Sequence, residues 1–130
     1  IKEAAGDLSQ MSDTIMLSGD ADVFSGDDNL TIPAMCIGAS GVISVAANLF
    51  PKFVSDMAKA ALLGNYDKAA KMQLKINPLI HGLFSEVNPI PIKYALNKFG
   101  LCKNILRLPL TKMSKANSDK LDVLIDDFLS

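Results

Sequence analysis

The sequence predicts an α/β fold with a parallel sheet, followed by an all-helical C-terminal part. Short apolar runs bounded by glycine alternate with helical stretches as far as Gly64. Beyond Gly64, apolar residues recur only at helical spacing. The 130 residues are 49% hydrophobic and 21% charged, the composition of a globular chain long enough to bury a core.

Residues 1–4 alternate apolar and charged side chains, as the last residues of a strand would. Gly6 and Asp7 then turn the chain, and Asp7 is placed to cap a helix carrying Leu8, Met11, Ile15 and Met16 that closes near Gly19. Val23 and Phe24, flanked by Gly19 and Gly26, mark a short buried strand over residues 21–25. Asp27, Asp28 and Asn29 are placed to cap the following helix, which carries Leu30, Ile32, Met35 and Cys36 with Pro33 in its first turn. Residues 42–45 read as a second apolar, β-branched strand of this kind. Asn48 and Pro51 open a helix through Val54, Met57, Ala58, Ala61 and Leu62 to Gly64.

Strand and helix units of this length lead to a parallel sheet, either doubly wound or closed as a barrel. From Gly64 onward, residues 66–84, 91–99 and 117–129 read as three successive helices. Leu121, Leu124, Ile125 and Phe128 form the apolar stripe of the last one, with Asp119, Lys120, Asp122, Asp126 and Asp127 on its wet side. The expected domains are therefore residues 1–64, with the strand and helix units, and residues 65–130, all helical.

Thirteen basic and fourteen acidic residues are interspersed along the chain, so no basic footprint for nucleic acid or an anionic membrane is present. Residues 29–51 carry no charge, yet Pro33, Gly38, Gly41 and Asn48 interrupt the run, and a helix followed by a buried strand explains it better than a membrane span. Cys36 and Cys102 are far apart with no ligand spacing, which points to two reduced thiols and away from zinc or a disulfide framework. The chain starts at Ile1 without Met or a signal segment, and is expected to begin inside something larger.

Few residues suggest chemistry by themselves. Lys2 stands at the end of the first strand, on the same face as Ala4. If that face lines a water-poor lumen, desolvation lowers the amine's pKa from its usual ~10.4 toward a free, nucleophilic form. A lysine in so charged a tetrapeptide is, by its residues alone, more often a solvated side chain. Gly26 is either a close-approach position or an ordinary turn. Asp27 and Asp28 resemble a carboxylate pair, but a helix cap is the simpler job. His81 is the only histidine and sits mid-helix, as a packed or surface residue.

Four blocks, Ile1-Lys2-Glu3-Ala4, Ser25-Gly26-Asp27-Asp28, Gly41-Val42-Ile43-Ser44-Val45 and Asn88-Pro89-Ile90-Pro91-Ile92-Lys93, precede Leu106-Arg107-Leu108-Pro109. Their order and spacing resemble the C-terminal half of the dihydrodipicolinate synthase family of class I pyruvate aldolases, over almost the whole chain. The resemblance implies the C-terminal part of a (β/α)8 TIM barrel followed by a three-helix domain. An intact barrel takes about 250 residues, so the missing N-terminal half of the barrel becomes an expected partner.

The resemblance also implies that Lys2 forms a Schiff base with pyruvate, that Gly26 lies at the active-site mouth, and that Ile43 contacts the substrate through its backbone. The enamine then attacks aspartate semialdehyde, giving 4-hydroxy-tetrahydrodipicolinate for lysine biosynthesis, with no cofactor or metal. A cytoplasmic homotetramer is implied for the full-length protein. The family uses a tyrosine and threonine hydroxyl relay and an arginine clamp for the semialdehyde carboxylate. Here Tyr66 and Tyr94 fall in the helical region and Arg107 in the tail, so relay and clamp are expected from the missing half, and the isolated chain is expected to be inactive. The alternatives are an N-acetylneuraminate lyase-like or other pyruvate aldolase, and a non-catalytic half-barrel.

Overall fold

The computed structural model describes residues 1–130. Strands β1 (Lys2–Glu3), β2 (Phe24–Ser25) and β3 (Gly41–Val42) form one parallel sheet in the order β1-β2-β3. The helices are α1 (Leu8–Leu17), α2 (Thr31–Cys36), α3 (Pro51–Leu62), α4 (Tyr66–Leu83), α5 (Ile90–Lys98) and α6 (Lys115–Leu129). Short 3-10 turns at Asp28–Leu30 and Ala46–Asn48 precede α2 and α3. The α/β class expected from the sequence is the observed one.

Each strand is shorter than its apolar run, because hydrogen bonds pair only two residues per strand. The register aligns Lys2 with Phe24 and Gly41, and Glu3 with Ser25 and Val42. Asp7 caps α1 as expected, its carboxylate accepting from the Ser9 N–H at 2.8 Å. Gly19 and Gly64, at φ 59° and 77°, take the left-handed conformation that ends α1 and α3.

Internal contacts divide the chain into two compact units, Ile1–Leu74 and Lys75–Ser130, so the division falls inside α4, beyond the boundary expected after Gly64. Ala69 and Gln73, in the first half of α4, are buried, and Gln73 bonds to the first unit's loops. That attachment explains why α4 begins in the first unit.

In the first unit, Met11, Val23, Ala34 and Ala39 form a core cluster against which Ile15 packs. The buried stripe of α3 is Val54, Met57, Ala60 and Ala61. Leu62, assigned to that stripe from the sequence, is exposed. In the second unit, Leu79, Leu83, Ile92, Ala95, Leu121 and Ile125 are buried, and α5 packs on α6. Asp122 corrects the expected wet face of α6: it accepts the Tyr94 hydroxyl at 2.9 Å and pairs with Lys98 at 3.0 Å. No helix is long and apolar enough to cross a membrane.

Candidate functional site

Parallel strands place their C-terminal ends on one side of a sheet, where the following loops converge. Backbone bonds extend the ladder one step past the strands, from the Gly26 N–H to the Glu3 carbonyl at 2.6 Å and from the Ile43 N–H to the Ser25 carbonyl at 2.8 Å. Ala4, Gly26 and Ile43 thus form one row at this end, on the sheet face that also carries Lys2, Phe24 and Gly41. The structure brings together the three site residues expected from the sequence: Lys2, Gly26 and Ile43.

Gly26 is glycine because of space. A Cβ there would lie 2.4 Å from Ala4 Cβ, 2.6 Å from Lys2 Cε and 3.2 Å from the Glu3 carbonyl oxygen. The crowding fits the close-approach reading, with Ala4 Cβ nearest and the Lys2 stem next. Lys2 itself is exposed in this three-stranded sheet, which by itself supplies no dry lumen. Ile43 lies just past β3 and is 50% exposed, so its side chain is not part of the core.

The opposite face is buried and polar. Glu3 is 7% exposed, and its carboxylate accepts from the Ala5 N–H at 2.8 Å and the Gln10 amide at 3.3 Å. Ser25 is fully buried, its hydroxyl donating to the Asp27 carbonyl at 3.0 Å and accepting from the Asp27 N–H at 3.1 Å. These bonds hold β1 and the loop after β2 in place.

The expected capping roles of Asp27 and Asp28 need correction. Asp27 stands at the cap position, yet its side chain makes no capping bond and instead accepts from the Gly6 N–H at 3.0 Å. Asp28, 2% exposed, reaches the next loop. One carboxylate oxygen accepts the Ser44 hydroxyl; the other accepts the Val45 N–H at 2.8 Å and the Ala46 N–H at 3.3 Å. Its own carbonyl accepts from the Thr31 hydroxyl at 2.8 Å and the Gln73 amide at 3.1 Å. Sequence reasoning missed this role because a cap is sought within three residues, whereas Val45 lies seventeen residues away.

Residues 1–50 contain neither tyrosine nor arginine, so the strand ends carry no hydroxyl relay of tyrosine type and no guanidinium clamp. Tyr94 and Arg107 belong to the second unit. There, burial and then the Asp122 carboxylate push the Tyr94 phenol up, while Asp122 followed by Asp126 holds the Lys98 ammonium above its ordinary range. This cluster joins α5 to α6 and offers no unpaired nucleophile. No group of three or more His, Cys, Asp or Glu side chains is arranged to hold a metal ion, and both cysteines are free.

Residues 1–128 match the Dihydrodipicolinate synthetase family. The 4-hydroxy-tetrahydrodipicolinate synthase of Trichlorobacter lovleyi is 45% identical over 129 residues, covering 98% of this chain and 44% of that protein. The crystal structure of dihydrodipicolinate synthase from Thermotoga maritima superposes with a TM-score of 0.95 at 38% identity, covering 98% of this chain and 45% of that one. The chloride-inhibited Acinetobacter baumannii enzyme, solved with pyruvate, gives a TM-score of 0.92 at 37% identity, covering 98% of this chain and 44% of that one. The chain thus spans less than half the length of the relatives it matches. Matched along nearly all of its residues, it belongs to the dihydrodipicolinate synthetase family.

Proposed function

We propose that this chain forms the last strands and C-terminal helical domain of a (β/α)8 barrel lyase that condenses pyruvate with aspartate semialdehyde to 4-hydroxy-tetrahydrodipicolinate. The observation that carries the reading is the strand-end row itself. Lys2 shares its face with Ala4, Gly26 and Ile43, and the absent Gly26 side chain leaves room for the lysine stem. The names of the relatives favour the synthase over the N-acetylneuraminate lyase-like alternative.

The Lys2 amine attacks the pyruvate ketone, and loss of water leaves an iminium. Its cationic nitrogen withdraws electrons, so a methyl proton departs and an enamine forms. The enamine carbon adds to the semialdehyde aldehyde, whose oxygen takes a proton. The substrate's amine then displaces Lys2 as the ring closes. Ile43 borders the bound pyruvate, while the hydroxyl relay, the carboxylate clamp and the remaining strands come from residues outside these 130. Closing the barrel around Lys2 would remove it from bulk water. The full-length protein is on this reading a cytoplasmic homotetramer in lysine biosynthesis that needs no cofactor.

Borohydride reduction with pyruvate, followed by peptide mapping of the full-length protein and its Lys2→Ala variant, tests the assignment. The adduct is expected on Lys2 and absent from the variant. An adduct on another residue, or an undiminished adduct in the variant, removes Lys2 from the mechanism.

A further inference from the structure

The loop after β3 begins at Ile43 and turns at once into the 3-10 turn Ala46–Asn48. Its own composition fixes that geometry only in part: Val45 and Ala46 have apolar side chains, and the backbone N–H groups at the start of such a turn need acceptors. The acceptors for the Ser44 hydroxyl and for the Val45 and Ala46 N–H groups come from one side chain on a different loop. Asp28 accepts the Ser44 hydroxyl and the Val45 and Ala46 N–H groups, while Ser44 Oγ accepts from the Ala47 N–H at 2.8 Å.

The clamp is itself anchored. Through its carbonyl, Asp28 is held by Thr31 and by the Gln73 side-chain amide, and the Gln73 side-chain oxygen accepts the Ile32 N–H at 3.2 Å. The buried carboxylate therefore sits on a rigid base and sets the position of a loop whose first residue lines the candidate site. A buried carboxylate with several fixed donors is costly to relocate, because any other position leaves polar groups unpaired.

We propose that Asp28 is a positioning residue for pyruvate binding, acting through Ser44, Val45 and Ala46 to fix the Ile43 backbone at the rim of the site. The inference rests on the pyruvate reading above and adds a residue that touches no substrate. It predicts a selective defect: pyruvate affinity suffers, while semialdehyde affinity and the site of imine formation do not.

The test compares Asp28→Ala, Asp28→Asn and Ser44→Ala with wild type in the full-length protein, using steady-state kinetics, borohydride trapping at saturating pyruvate, and thermal midpoints. Asn keeps an oxygen for the Val45 and Ala46 N–H groups and can donate its amide to Ser44, so it should stay within about twofold of wild-type pyruvate KM. Asp28→Ala should raise that KM roughly tenfold to a hundredfold, as sub-ångström to ångström displacement of a binding group does. The semialdehyde KM should be unchanged and trapping should still occur on Lys2. Ser44→Ala, which removes the bond to Asp28 and the acceptor of the Ala47 N–H but leaves the Val45 and Ala46 bonds, should fall between the two.

A folded Asp28→Ala variant with wild-type pyruvate KM overturns the proposal. Loss in Asp28→Asn equal to that in Asp28→Ala also overturns it, since the charge would then matter more than the clamp. If Asp28→Ala does not fold, Ser44→Ala with wild-type pyruvate KM is the decisive negative. Wild-type protein that traps no pyruvate refutes the functional reading and this proposal together, an outcome distinct from the others.

Discussion

Replacing Gly26 by alanine tests the site with a single methyl group. The added Cβ would meet Ala4 Cβ at 2.4 Å and Lys2 Cε at 2.6 Å, both inside van der Waals contact. The two collisions relax differently. Ala4 Cβ is fixed to its backbone, so relief requires β1 and β2 to part where the Gly26 N–H meets the Glu3 carbonyl at 2.6 Å. Lys2 Cε is the far end of a flexible chain and moves aside at small energetic cost, taking the Lys2 nitrogen with it. Overpacking of this kind costs about 1–3 kcal/mol. That corresponds to roughly 2–4 °C in thermal midpoint per kcal/mol for a chain of barrel size.

A compensating variant separates the two effects. Ala4→Gly combined with Gly26→Ala removes the backbone-fixed collision but leaves the lysine displaced. The double variant should regain most of the lost thermal midpoint, read by differential scanning fluorimetry. Its rate of imine formation, read by borohydride trapping over time, should stay roughly tenfold or more below wild type. Recovery of both quantities would falsify the claim that Gly26 exists to clear the lysine's path, and a Gly26→Ala variant indistinguishable from wild type would remove its basis.

Two further outcomes concern the second unit. The Ser114 hydroxyl foremost, then Asn117 and the Ser114 N–H, holds the Glu86 carboxyl below the usual carboxylate range. A folded-state value below the unfolded one stabilises the protein above the ordinary value of about 4.3, and that stability is lost as pH falls through the lower, folded value. Urea titrations of Glu86→Gln should therefore show a shallower loss of stability on acidification below that range than wild type does; parallel pH profiles would contradict the sign. Leu121 is fully buried on α6, and its Cδ1 would lie 3.0 Å from a Cβ added to Gly82. Leu121→Ala should cost about 2–5 kcal/mol in chemical denaturation, and a loss under about 1 kcal/mol would mean the α4 and α6 faces repack freely.

Much of the fold was legible because its signals are local. Asp7 caps α1, Pro51 opens α3, glycines at positive φ end α1 and α3, and the α6 stripe holds Leu121 and Ile125 in the core. Strand extents were not legible, since pairing depends on what lies alongside: of the apolar run at residues 42–45 only Val42 belongs to β3, which begins one residue earlier at Gly41. Lys2, Gly26 and Ile43 were reached by family resemblance, because spacing alone does not show that strands distant in sequence end in one row. Asp28 was misjudged for the same reason, its partners being close in space and far along the chain.

The four residues of Ser25-Gly26-Asp27-Asp28 show what such a block encodes physically. The Ser25 hydroxyl fixes the Asp27 backbone from beneath the sheet, and Gly26 leaves room for Lys2 above it. Asp27 ties the loop to Gly6 on the β1 side; Asp28 ties it to Ser44, Val45 and Ala46 on the β3 side. One loop thus controls both things the proposed chemistry requires of this chain: a lysine free to reach the ketone, and a rim held still enough to receive it. Since the two controls act through different atoms, damage to Gly26 should appear in the rate of imine formation and damage to Asp28 in pyruvate affinity. A shared defect would mean that the loop moves as one body and that its residues have no separate roles.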